Sequence, residues 1–288
     1  MKSAGLHWKQ NPRLRAYLML SPFILVAVFL LIIPMLTVAE KSFHPLGENF
    51  EILPQFTWEN YIRVFSPHYL PVFLRTLTYA LVTTILCLLM GYPIAYYIAA
   101  FGGKRKNIYI LLIMLPFWTS YLIRTYAWIV LLRSEGVINT IFLSLRIISE
   151  PIIFLNTPFA VILGLTYGFL PFMTLPIYVS LEKLDKSLVE ASMDLGASPV
   201  RAFFKVIFPL SLPGVVAGSL LTFIPCVGDF VTSDVLGGPE TTMIGNVIQA
   251  QFLESFNWPF GSALSFMLMA FMLISIFVYS RVVGRENT

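Results

Sequence analysis

Charge is scarce in this sequence: Asp, Glu, Lys and Arg together make up 12% of its 288 residues, about half the share of an ordinary soluble domain. Hydrophobic residues make up 57% and the mean hydropathy is +0.80. A water-solvated fold of that composition would expose apolar patches larger than soluble monomers tolerate, which excludes the common soluble enzyme classes. The aromatic share of 15% and a net charge of only +4 exclude disorder. Cysteine is nearly absent, and Cys87 and Cys226 both fall inside apolar runs, where they offer neither a disulfide framework nor a metal site. The three histidines, His7, His44 and His68, lie outside those runs, so no proton relay of intramembrane His or paired carboxylates is visible. There is no G-x-x-x-x-G-K-[ST]; Gly102-Gly103-Lys104-Arg105 is only a basic turn. The chain is not read as an enzyme, no catalytic residue is assigned, and ATP chemistry must come from another chain.

What the sequence does have is length of apolar helix. Crossing a hydrocarbon core takes ~20 apolar residues, and six stretches qualify, at about 17–39, 76–101, 108–132, 159–181, 212–231 and 258–280. The charged exceptions are Arg124 in the third, placed for snorkelling at a membrane face, and Asp229 near the end of the fifth. A seventh stretch, 141–155, is broken by Arg146, Glu150 and Pro151 and is expected as an interfacial or re-entrant helix. The first run, about 23 residues long, exceeds the 7–15 of a cleaved signal's apolar region and is kept as a span. Gly91 and Pro93 are expected to interrupt the second helix. Two GxxxG patterns, Gly164 to Gly168 and Gly214 to Gly218, suit close helix approach.

Basic residues orient the spans. Thirteen of the nineteen Lys and Arg fall on the side holding both termini, against five acidic residues; the other side holds six against ten. The balance is +8 against −4, so both termini are expected in the cytoplasm. The basic pI of about 9.0 is thereby a topology signal, and it leaves little surface for nucleic acid.

The cytoplasmic loop 182–211 is the most informative segment. Ser187 and Glu190 have capping-box spacing, so a helix is expected to begin there and to end at Gly196 in the left-handed conformation. Ser198-Pro199 is a second N-cap followed by proline at the first helical position, and the helix it starts is expected to stop at Phe208, before Pro209. By spacing alone, this is a well-capped connector.

Glu190-Ala191-Ser192, Gly196 and Pro209 resemble the EAA motif of the membrane subunits of binding-protein-dependent ABC importers, with Ser192 in place of the second Ala, Val206 in place of Ile and Phe208 in place of Leu. The resemblance implies a coupling helix docked in a cleft of an ATPase subunit. Gly91-Tyr92-Pro93-Ile94-Ala95-Tyr96, Leu115-Pro116-Phe117-Trp118, Leu122-Ile123-Arg124, Leu181-Glu182-Lys183-Leu184-Asp185, Pro213-Gly214-Val215-Val216-Ala217-Gly218 and Trp258-Pro259-Phe260-Gly261 are similar to the spermidine/putrescine permease subunits over about 57–280. The implied fold is all-α: a polytopic membrane protein of six transmembrane helices in one domain spanning 1–288, the type I ABC importer permease fold, with its core at about 70–280.

The implied machine is a bacterial inner-membrane importer with a second permease subunit, two copies of a cytosolic ATPase carrying ATP and Mg, and an extracytoplasmic binding protein. This chain would contact membrane lipid and bind no cofactor or metal itself. A polyamine path needs carboxylates and aromatic faces; the candidates are Asp229 and Asp234 with Trp118, Tyr121 and Tyr126. Asp229 reads equally as a cap for the next element. Thr241 or Thr242 is expected to cap an amphipathic outer-surface helix carrying Ile244, Val247, Ile248, Phe252 and Phe256. The rival cargoes are an amino-acid derivative, opine, sugar or ferric ion. A rival of another class is an ion-coupled secondary carrier, which the lack of buried ionisable pairs disfavours.

Overall fold

The computed structural model describes residues 12–284. His7 lies outside the described residues, as do Lys2, Lys9, Arg285 and Glu286, which the charge count placed on the cytoplasmic side. Among the described residues there is no strand, only one isolated bridge between Leu46 and Ile52. Six helices are long and apolar enough to cross a membrane: Met19–Ser42, Leu70–Phe101, Tyr121–Ser144, Pro158–Glu182, Pro199–Gly228 and Trp258–Phe277. The described chain divides into two compact units.

One unit takes the chain up to Phe65 together with Gln251–Met269. Its first span has no buried residue in its most apolar stretch, which leaves those side chains for lipid or protein. Below Ser42 the chain is held by aromatic packing and by Asn60. Phe43 stacks on Phe56 at 5.0 Å and meets Trp58 edge-on at 5.0 Å. The Asn60 amide donates to the carbonyls of Ser42 and His44 at 3.0 and 2.8 Å.

The other unit, Ser66–Ala250 with the segment after Met269, carries the functional elements. Its core is the face where the helices Leu70–Phe101, Pro158–Glu182 and Phe208–Gly228 meet, with Cys87, Val161, Leu165, Met173, Ile177, Cys226 and Val227 closed to solvent. In a bilayer, apolar burial drives helix association weakly, and close packing of small residues replaces it. Of the GxxxG glycines, Gly214 and Gly218 serve that packing, whereas Gly164 makes room for Leu236 and Thr232 of another element. A Cβ on Gly218 would come within 2.9 Å of the Met173 carbonyl oxygen, and one on Gly164 within 2.6 Å of Leu236.

Several sequence expectations are corrected. The second helix runs unbroken from Leu70 to Phe101 through Gly91 and Pro93. Gly91 is there for packing, since a Cβ would fall 2.8 Å from Thr174 Oγ1. The stretch 108–132 is not one helix: Lys106–Met114 gives way to a 3-10 turn at Leu115–Trp118, then to extended Thr119 and Ser120, before Tyr121–Leu132. Pro116 lacks the amide that a continuous helix would need there. The helix expected over 141–155 is instead Val137–Ser144 followed by irregular chain. Asn139 ties that chain down through two 2.9 Å hydrogen bonds with the Ile152 backbone, satisfying groups a helix would have paired. The helix expected from Thr241 or Thr242 is Ile244–Leu253, which leaves Phe256 outside it. Its first amide donates to Thr76 of the second span at 2.8 Å, a tertiary cap invisible to local pattern.

The packing yields a contrast. Gly218→Leu should destabilise the bundle by about 1–3 kcal/mol through overpacking, while Gly228→Ala, where a Cβ meets nothing within 4 Å, should change it by less than about 0.5 kcal/mol. Thermal melting of the purified variants in detergent, followed by the monodisperse fraction left after heating, distinguishes them.

Candidate functional site

The loop between the fourth and fifth spans contains the helix Lys186–Asp194. Its N-cap is Asp185, not Ser187: the Asp185 carboxylate accepts from the Ser187 amide at 2.9 Å, so the helix starts earlier than the capping-box spacing implied. That amide bond holds the Asp185 carboxyl below its ordinary range. The other end is as expected. Gly196 has φ +85°, its amide reaches Met193 at 2.9 Å, and Ala197 reaches Ser192 at 3.0 Å, together a Schellman ending that needs a residue without Cβ strain. Ser198 caps the next turn by accepting from Arg201, with Pro199 at the first helical position.

That turn does not stop at Phe208. Pro199–Ala202 passes into a wide π turn, Phe203–Ile207, and then directly into Phe208–Gly228. The Phe208 amide reaches back to the Phe203 carbonyl, and Pro209, which has no N–H to donate, follows the wide turn inside the continuous helix. The fifth span therefore grows out of the loop without a break. Phe203 lodges at the join, edge-on to Tyr92 at 5.7 Å and Tyr96 at 5.5 Å, while the Tyr92 hydroxyl bonds Ser211 at 2.8 Å.

Beyond the join the loop is open. Glu190 and Ala191 are exposed and Ser192 half-buried; Leu188, Met193, Leu195 and Val200 present apolar side chains to the outside, Leu195 at 89% exposure. Behind the helix lies a cavity of about 410 Å³ lined by Tyr96, Lys106, Glu182, Lys186, Glu190 and Met193. Lys106 and Glu182 form an ion pair across its edge, which raises the lysine pKa.

The far end of the fifth span carries the second group. Twenty residues of helix from Pro209, about 30 Å at 1.5 Å per residue, the helix ends at Gly228 and Asp229 follows in extended conformation. Asp229 does two things at once. One oxygen accepts from the Thr232 amide at 2.8 Å, at the start of the short helix Val231–Leu236. The other accepts from the Tyr121 hydroxyl at 2.5 Å, and Thr232 Oγ1 lies 2.5 Å from the same hydroxyl.

Tyr121 begins its helix immediately after the extended break that the sequence did not reveal. Of the five path candidates, the structure brings Tyr121 and Asp229 together. Asp234 is exposed, and Trp118 and Tyr126 are 73% and 56% exposed, outside the hydrogen-bonded group. Arg124 lies over the rings of Phe117 at 4.2 Å, Tyr121 at 5.4 Å and Tyr167 at 5.8 Å, and bonds the Pro116 carbonyl at 3.1 Å. The half-buried guanidinium is thus flanked by three aromatic rings.

A family model described as binding-protein-dependent transport system inner membrane component matches residues 9–286. The chain belongs to that family. This binding-protein-dependent permease is a multi-pass inner-membrane protein with the ABC importer permease fold. It is 46% identical over 255 residues to the spermidine/putrescine transport system permease protein PotB of Haemophilus influenzae, covering 88% of this chain and 89% of that protein. The Escherichia coli K12 PotB is 42% identical over 254 residues, with 88% and 92% covered. The E. coli inner membrane ABC transporter permease protein YdcU is 33% identical over 292 residues, with 96% and 91% covered. In fold, the chain superposes on a chain of a bacterial ABC transporter involved in alginate import with a TM-score of 0.76 at 17% identity, covering 98% and 99%.

Sequence reasoning missed Phe117, Tyr167 and Thr232 as members of this permease's aromatic and carboxylate group. Phe117 was hidden by the unforeseen break after Trp118. Tyr167 stands between the glycines of Gly164-Leu165-Thr166-Tyr167-Gly168, and that pattern was the signal available.

The Asp185 cap carries a pH signature. A carboxyl whose folded pKa is depressed adds stability above its unfolded value near 3.9, and loses it as pH falls through the folded value. Protection of the amides 186–194 from hydrogen exchange, corrected for intrinsic exchange, should hold at neutral pH and fall only below about pH 4; in Asp185→Ala it should already be low at pH 7.

Proposed function

We propose that this chain is the membrane-spanning subunit of an ATP-driven importer of polyamines of the spermidine/putrescine class. The observation that carries the cargo is kinship with spermidine/putrescine permeases over nearly nine-tenths of the chain. The whole chain, 1–288, acts as one transmembrane permease domain. Both termini face the cytoplasm, as the asymmetry of basic residues supports. The partners are a second permease subunit, two copies of a cytosolic ATPase that bind ATP and Mg, and an extracytoplasmic binding protein that delivers substrate. This subunit binds no cofactor.

Glu190, Ala191, Ser192, Gly196 and Pro209 form the ATPase-coupling element. Glu190 presents an exposed carboxylate on the loop helix, Gly196 fixes the tight turn, and the apolar Leu188, Met193, Leu195 and Val200 supply the surface to be buried on docking. Displacement of the docked loop passes into the fifth span because no chain break intervenes between Pro199 and Gly228. Phe203, wedged on Tyr92 and Tyr96, ties that movement to the second span. At the far end, Asp229 with Tyr121 meets the cation: a carboxylate offsets an ammonium charge and aromatic faces take both the charge and the methylenes. Asp234, Trp118 and Tyr126 line the approach to that point.

Two substitutions test the two ends separately in the reconstituted complex with its binding protein. Glu190→Arg should abolish uptake of labelled putrescine and the ATPase stimulation that loaded binding protein gives. Asp229→Asn should lower uptake on the order of tenfold, as expected for the loss of one charge partner, with the complex still assembled by size exclusion. Unchanged uptake in either variant removes the corresponding role.

A further inference from the structure

A polyamine path should be hostile to fixed cations, yet Arg124 stands in the third span with its guanidinium over three aromatic rings. Its hydrogen-bond partner there is a carbonyl oxygen, that of Pro116. The site is built as a cation seat. Phe117 and Tyr167 supply faces from two different elements, and Tyr121 supplies a third while its hydroxyl donates to Asp229 at 2.5 Å. Trp128 packs edge-on against Tyr167 at 5.4 Å and Phe172 against Phe117 at 6.3 Å, so the rings are themselves held. One phenol therefore joins a ring already covered by a cation to a carboxylate that forms no ion pair among the described residues.

We propose that the Arg124 guanidinium is a tethered stand-in for the substrate's ammonium group, occupying the Phe117, Tyr121 and Tyr167 seat beside Asp229 and yielding it to an organic cation in transit. This rests on reading the cargo as a polyamine. The physical reason is competition for one quadrupolar site. Two cations cannot share the same ring faces at close range, so an arriving ammonium must displace the guanidinium, and displacement is cheap because the long side chain has rotamers elsewhere. A tethered competitor weakens substrate binding at rest and leaves the seat filled when no substrate is present, which blocks leakage of small cations. A substrate with two ammoniums gains at both the rings and Asp229, whereas a monocation gains at one. Arg124 is thus a specificity-determining residue of the path.

The test uses the full complex in lipid nanodiscs, with saturation-transfer NMR titrations of two probes, spermidine and methylguanidinium. Arg124→Gln, which keeps a group able to reach the Pro116 carbonyl, should bind methylguanidinium on the order of threefold to thirtyfold more tightly than the native complex, the range expected for one freed cation–π seat. Arg124→Lys, which keeps the tethered charge, should match the native complex. Adding Phe117→Leu to Arg124→Gln should remove most of the gain, which separates a freed seat from a general loosening. Equal or weaker methylguanidinium binding by Arg124→Gln overturns the inference. A gain for methylguanidinium with no spermidine binding by any variant keeps the seat and overturns the polyamine reading instead.

Discussion

The edge-on packing of Phe203 against Tyr92 and Tyr96 is the contact on which the proposed coupling depends. The loop helix Lys186–Asp194 has no buried residue of its own, so little of its position comes from hydrophobic burial. Its connection to the bundle runs through the wide turn Phe203–Ile207, where Ile207 is buried and Tyr92 both meets Phe203 edge-on and bonds Ser211. A π turn is a known mark of functional sites because its looser hydrogen bonding tolerates rearrangement. Here it lies between the exposed apolar surface of the loop and a span packed glycine-to-backbone against its neighbour, where the proposed coupling calls for a flexible segment and a flexible core would not serve.

The fifth span carries that join at one end and Asp229 at the other. The span is rigid where Gly214 and Gly218 let it touch the fourth, and it ends at Gly228, where the chain becomes extended and releases Asp229. Asp229 then bridges two elements by accepting from the Thr232 amide in the first turn of Val231–Leu236 with one oxygen and from Tyr121 of the third span with the other. A structural tie of this kind is compatible with the substrate contact proposed for the same carboxylate. Because the Thr232 amide and the Tyr121 phenol both lie at the starts of their helices, a shift of the fifth span's end would alter both of the carboxylate's hydrogen bonds. Arg124, seated on the same phenol ring, would respond to that shift.

How much of this was legible in the sequence divides along physical lines. Span number and the Schellman ending at Gly196 were readable because they depend on local composition and on one residue's φ preference. The Ser198-Pro199 cap was readable for the same reason. The start of the loop helix was misplaced by two residues because Asp185 and Ser187 are both good cap residues, and only the geometry shows which side chain takes the amide. The break at 115–120 and the irregular chain after Ser144 were missed because apolar composition reports membrane affinity, not helix continuity. Pro116 and Pro151 were the local signs. The cap on Ile244 from Thr76 and the grouping of Phe117, Tyr167 and Arg124 required tertiary contacts that no window of sequence contains. Tyr121 and Asp229 were both named from residue chemistry, yet their 2.5 Å contact joins positions 108 residues apart.

The ratio of amines moved to ATP hydrolysed, measured in proteoliposomes holding the whole importer, addresses the Phe203 join most directly. In a Phe203→Leu complex that assembles normally, a wedge that transmits loop movement to the spans predicts that ATP hydrolysis continues while the ratio falls severalfold. A ratio equal to that of the native complex would contradict transmission through this contact.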